Sequence, residues 1–262
     1  MKTIGVIGTG NIATLIFKIA KDIKNKLCVY DINSKNIEKF CKKFPHKKIN
    51  KCSSIEEVIK SSDIILETAS IEAVDQIFKI IRFYKNKIYI FLSVGGVLKN
   101  FSQYKALIKK GYKIYIPSGA IAGCDALSAV KYVKIKSIHL RTIKPLKTFV
   151  NSPYLKQNKS LYNKALKQKQ TVLFKGNVYD AIKNFPQNIN VAATLAIVSN
   201  VPDKIKVTIV ADKNTKYNIH EVTVNTDAGK IFTCTKNIPS KDNPKTSYLA
   251  ALSALSMLYQ FV

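Results

Sequence analysis

Gly8, Gly10 and Ala13 have the spacing of a turn that wraps a pyrophosphate. Gly8 permits the tight turn, Gly10 lets the backbone approach the phosphates, and Ala13 lets the next helix pack closely on the strand before it. Asn11 and Ile12 stand at the start of that helix, where free N–H groups and the positive dipole end attract phosphate. An apolar run, Ile4 to Ile7, precedes the turn. Ile12, Leu15, Ile16, Ile19 and Ala20 follow it with helical spacing. Asp31 closes a second apolar run, Leu27 to Tyr30. A carboxylate there can accept hydrogen bonds from ribose hydroxyls and repels a 2′-phosphate, so NAD is expected as cofactor. Asn33, Ser34 and Lys35 could hold a phosphate if the acid turned away, so NADP stays open. The competing reading is a strand–helix unit whose glycine turn binds nothing.

Nicotinamide chemistry also needs a proton acceptor from the protein. Of the three histidines, His46 falls in a lysine-rich loop and His139 inside a strand. His220 shares a strand face with Val222 and Val224, a face expected to be partly buried. An imidazole in that setting is an acid/base candidate, although by spacing alone a hydrogen-bonded core histidine is the plainer reading. Asn188 and Asn190 stand before an apolar helix, where each could cap it or hold a carboxamide. Lys144 and Lys147 could pair with substrate carboxylates, but in so lysine-rich a chain a solvated face is the plainer reading. Ser118 opens a small-residue loop, and Thr246 lies in a turn whose amides could bind an anion. No cluster has metal-ligand spacing, and no Walker lysine occurs.

Composition sets the limits. The 262 residues carry a formal charge of +27, from 43 Lys and Arg against 16 Asp and Glu. Arginine occurs only at 82 and 141, and the charges are spread along the chain with no aromatic–glycine motif. A solvated basic surface is therefore expected in place of nucleic-acid binding. No apolar run reaches about 18 residues, so no membrane span is expected. Five cysteines without a CxxC pair fit a reduced, cytoplasmic protein.

The elements that must position these residues fall into two groups. Strands are expected at 3–7, 27–30, 63–66, 88–92 and 112–116, alternating with helices at 11–23, 34–43, 54–60, 71–84 and 101–110. That alternation indicates an α/β domain with a Rossmann-type, doubly wound parallel sheet. Ala69 and Ser70, after the third strand, fall at the carboxyl edge where such sheets bind ligands. After Pro117 the pattern changes. Strands at 136–144, 171–174, 205–210, 219–224 and 230–235 have few crossover helices, which indicates an α+β domain with a mixed, mostly antiparallel sheet. Residues 145–170 read as an irregular excursion. The expected domains are 1–117, completed by a C-terminal helix within 244–262, and 118–243.

Four stretches together resemble the L-aspartate dehydrogenase family of archaeal and bacterial type. They are Gly8 to Ala13, Pro117 to Leu127, Phe185 to Thr194, and Val207 to Asp212 with Asn218 to Glu221 and Asn243 to Ser247. The resemblance spans nearly the whole chain. It implies NAD- or NADP-dependent oxidation of L-aspartate to iminoaspartate, which enters NAD biosynthesis or hydrolyses to oxaloacetate and ammonia. It also implies a homodimer. The family's catalytic histidine falls on His220, and its cofactor contacts in the second domain fall on Ala120, Gly123 and Asn190. Cys124 and Thr68 depart from the family pattern, where a larger aliphatic residue and a cysteine are usual. The alternatives are an imine reductase of the dihydrodipicolinate reductase type and a non-catalytic NAD-binding module.

Overall fold

The structure is a computed structural model that describes residues 1–150, 152–185, 190–239 and 247–262. Its contacts divide the chain into two units, Met1–Pro117 with Ala251–Val262, and Ser118–Ala250. The change of unit near the C-terminus thus falls at Ala251, inside the last helix, and not at residue 244.

In the first unit the chain runs β1 (Ile4–Ile7), α1 (Asn11–Ile19), β2 (Leu27–Tyr30), α2 (Ser34–Lys43), β3 (Ile49–Lys51), α3 (Ile55–Lys60), β4 (Ile64–Glu67), α4 (Ile71–Ile80), β5 (Ile88–Phe91), α5 (Val94–Lys99), α6 (Phe101–Lys109) and β6 (Lys113–Tyr115). The six strands are parallel, in the order β3-β2-β1-β4-β5-β6. Chain direction across the sheet reverses between β1 and β4, and open parallel sheets bind ligands at such a point. Val6, Phe17, Leu27, Phe40 and Leu66 pack into one core with Ala251, Ala254, Leu255 and Leu258 of the last helix, Tyr248–Tyr259.

Four elements differ from expectation. Helix α4 ends at Ile80 instead of residue 84, and Ile81–Phe83 tighten into a 3-10 turn. Helix α1 stops at Ile19 instead of Ile23, and Lys47 donates its ammonium to the Ile23 carbonyl at 2.7 Å just beyond. Strand β3 was unexpected because it is a short, exposed edge strand without alternation. Helix α5 was unexpected because Gly95 and Gly96 are poor helix formers. Packing overrides that propensity, since a Cβ on Gly96 would lie 2.7 Å from Val74 Cβ of α4.

The second unit runs α7 (Cys124–Ala129), β7 (Ile135–Pro145), α8 (Pro153–Gln157), α9 (Lys159–Lys167), β8 (Gln170–Asn177), α10 (Val178–Asn184), α11 (Asn190–Ser199), β9 (Ile205–Asp212), β10 (Asn218–Thr226) and β11 (Gly229–Asn237). Residues 145–170, read as irregular, instead fold largely into α8 and α9. The sheet order is β11-β10-β7-β9-β8. Strands β7 and β9 are parallel and every other pair is antiparallel, so the sheet is mixed as expected. Buried residues alternate without a break along β10 from Asn218 to Thr226. One face of β10 is therefore enclosed, and His220 is on it. Among the described residues no helix is long and apolar enough to cross a membrane.

Candidate active site

In the first unit the glycine turn links β1 to α1. Gly8 has φ +91°, a conformation that side chains rarely adopt, and its N–H donates to the Tyr30 carbonyl at 2.8 Å. Gly10 caps α1, and a Cβ placed on it would meet nothing within 4 Å. Open space therefore lies beside the turn at Gly10. Asn11 at the helix start is exposed, while Ile12 packs partly against the core. Asp31 sits at the end of β2. Its Oδ2 accepts the Thr9 N–H at 2.8 Å and the Thr9 hydroxyl at 3.3 Å, and its Oδ1 accepts the Asn33 N–H at 2.9 Å and the Asn36 amide at 3.1 Å. The acid is thus tied to the glycine turn on one side and to the start of α2 on the other.

The end of β4 completes this region. Ala69 packs directly over Gly8, and Ser70 caps α4 by accepting the Ala73 N–H at 3.3 Å. Thr68 donates its hydroxyl to the Gly8 carbonyl at 2.5 Å. Glu67 is fully buried, a role that charge counting could not reveal. Its Oε1 accepts the Ala69 N–H at 2.7 Å and the Ser93 hydroxyl at 2.8 Å, and its Oε2 accepts the Ser93 N–H at 2.9 Å. Burial pushes its carboxyl up from the usual range while these donors pull it down. The bonds hold the turn at the end of β4 and the start of α5 in one arrangement.

In the second unit His220 is 2% exposed, and its Nδ1 is hydrogen-bonded to Thr142 Oγ1 at 3.1 Å. The two residues are directly opposite in the antiparallel pair of β10 and β7. Burial pushes the imidazole down to about 3, and the Lys144 ammonium acts in the same direction. The ring is therefore neutral at any ordinary pH. Lys144 is two residues beyond Thr142 on the same face of β7 and is 4% exposed. Its reading as a solvated lysine is corrected, since burial instead lowers its ammonium to about 8. His46 and His139 lie at exposed positions, and His139 is bonded to Thr208.

The small-residue loop is fastened to β11, which the sequence did not indicate. The Ala120 carbonyl accepts from the Thr235 hydroxyl and the Asn237 amide, each at 2.8 Å, and the Ala122 carbonyl accepts from the Thr233 hydroxyl at 3.3 Å. Gly123 has φ +80°, and a Cβ there would stand 2.8 Å from Thr233 Cγ2. Ser118 is half-buried at the head of the loop. Asn190 is exposed at the first position of α11. Asn188 and Thr246 lie outside the described residues. Among the described residues no group of three His, Cys, Asp or Glu could hold a metal ion.

Comparison with known proteins agrees with both halves of this description. A family described as "Aspartate dehydrogenase, C-terminal" matches residues 125–261, and one described as "D-isomer specific 2-hydroxyacid dehydrogenase, NAD binding domain" matches residues 1–87. The chain is 40% identical to L-aspartate dehydrogenase of Methanococcus maripaludis, over 98% of this chain and 96% of that one. It is 39% identical to L-aspartate dehydrogenase of Methanocaldococcus jannaschii over the same shares. The crystal structure of aspartate dehydrogenase from Thermotoga maritima superposes with a TM-score of 0.75 at 27% identity, covering 100% of this chain and 98% of that one. With identity at this level along almost its full length, the chain belongs to the L-aspartate dehydrogenase family.

Proposed function

We propose that this protein oxidises L-aspartate to iminoaspartate, with NAD or NADP as hydride acceptor. The observation that carries the reading is the buried imidazole of His220 with the Lys144 ammonium on the same enclosed sheet face. The glycine turn fits a dinucleotide, because the space beside Gly10 is open and Asp31 is held against the turn. Gly8, Gly10, Asn11 and Ile12 would hold the pyrophosphate, and Asp31 the adenine ribose. Ala69 and Ser70 in the first unit, and Ala120, Gly123 and Asn190 in the second, are the further cofactor contacts we propose. When bound, the nicotinamide accepts the hydride from the substrate α-carbon.

The protein's own groups then have two tasks. Lys144 pairs with a substrate carboxylate, with Ser118 and Thr246 as further ligands. His220 takes a proton from the substrate nitrogen through Nε2, which frees the nitrogen lone pair to form the C=N bond. In the absence of substrate the imidazole is a weak base. A dicarboxylate brings negative charge to Lys144 and His220 together, which raises the proton affinity of the ring at the moment of use. The imine hydrolyses to oxaloacetate and ammonia or is drawn into NAD biosynthesis, and the working form is a homodimer.

The test is formation of reduced cofactor with a panel of amino acids, using NAD and NADP in turn. L-Aspartate is the expected substrate, and His220→Ala is expected to remove most of kcat while cofactor binding persists. A panel in which aspartate is inert, or a variant within a few-fold of wild-type turnover, would overturn the reading.

A further inference from the structure

Thr142 stands on an enclosed face whose other β7 members include Ile138, at 0% exposure, and Leu140, at 2%. Valine has the same shape as threonine and would fill the site without a polar group. Burying a hydroxyl costs free energy unless it is hydrogen-bonded, and the bond this structure gives Thr142 Oγ1 is to His220 Nδ1. That bond permits two arrangements. If the hydroxyl donates to Nδ1, the ring proton is on Nε2, and Nε2 cannot accept another. If Nδ1–H donates to Oγ1, Nε2 carries the lone pair.

We propose that Thr142 is a positioning residue whose Oγ1 accepts the Nδ1–H of His220, which fixes the ring plane and leaves the Nε2 lone pair for the substrate proton. This rests on His220 being the proton acceptor. In the transfer, the proton passes from the substrate nitrogen to Nε2 and the ring becomes a cation. Nδ1–H stays bonded to Oγ1, a bond that strengthens as the charge forms. Thr142 itself gains and loses no proton.

The decisive experiment is the imidazole 15N spectrum of protein labelled at histidine, in which His220→Ala identifies the signals of residue 220. Wild type is expected to show Nδ1 protonated and Nε2 unprotonated, Thr142→Ser the same, and Thr142→Val a mixed or reversed pattern. In turnover, Thr142→Val is expected to lower kcat roughly tenfold, a barrier change of about 1.4 kcal/mol, with the cofactor KM unchanged. Thr142→Ser is expected to restore most of that loss. In a His220→Ala background, Thr142→Val is expected to have no further effect. A wild-type ring protonated at Nε2, a Thr142→Val spectrum identical to wild type, or an undiminished Thr142→Val effect without the imidazole would each overturn the inference. The spectra read the tautomer of His220 without turnover, whether or not His220→Ala abolishes it. Failure of the aspartate assay is therefore a separate result.

Discussion

Gly8 and Ala69 approach so closely that a Cβ on Gly8 would lie 2.6 Å from Ala69 Cα. The turn after β1 and the turn after β4 are therefore in backbone contact at the sheet's switch point. The other glycine of the motif is different, with an ordinary φ of −74° and open space where a Cβ would point. Gly8→Ala is expected to lower thermal stability by roughly 1–3 kcal/mol, from backbone strain and the clash together. Gly10→Ala is expected to leave the melting temperature almost unchanged and to weaken dinucleotide binding, because its methyl stands where phosphate would approach. Thermal melts and cofactor titration on both variants check this, and equal stability losses would sink it.

Asp31 is expected to set cofactor preference. In the proposed role, Asp31→Ala would remove a ribose acceptor and the charge that repels a 2′-phosphate. The ratio of kcat/KM for NAD over NADP is expected to fall tenfold or more, equivalent to about 1.4 kcal/mol. Steady-state kinetics with both cofactors decide it, and an unchanged ratio would assign Asp31 only to holding Thr9 and Asn33 in place.

Lys144 is expected to recognise substrate in its charged form. Burial lowers it to about 8, so the free enzyme loses this cation as pH rises through that value. For aspartate, kcat/KM is expected to decline above about pH 8, and Lys144→Met is expected to abolish that limb and raise the aspartate KM at least tenfold. Cofactor affinity is expected to stay constant. An aspartate KM insensitive to the substitution would remove Lys144 from the substrate contacts.

His220 is expected to make the protein sensitive to acid. Its folded value, near 3, is below the ordinary histidine value of 6.5, so between these limits the unfolded chain binds a proton that the folded chain refuses. Stability is complete above pH 6.5 and falls as pH drops through the window, by at most about 1.4 kcal/mol per pH unit. The charged group that acts on the ring is Lys144, while Thr142 beside it is neutral. Melting temperatures of wild type and His220→Asn between pH 7 and pH 4 should converge as pH falls. Parallel curves would contradict the burial argument.

The glycine turn, Asp31 and the alternation that buries His220 were legible in the linear chain because each is a local pattern. A turn depends on the φ of one residue, a helix start on the next few, and a strand face on every second side chain. Those patterns also distinguished a parallel first sheet from a mixed second one. What tertiary structure alone decided was which distant residues meet. Thr142 is 78 positions from His220, and only the register of β7 on β10 makes them partners. Lys144 looked like one more solvated lysine until the sheet enclosed it, since composition records charge but not burial. Glu67 and the Thr235 and Asn237 anchors of Ala120 were hidden for the same reason, because their hydrogen-bond partners are brought within reach only by folding.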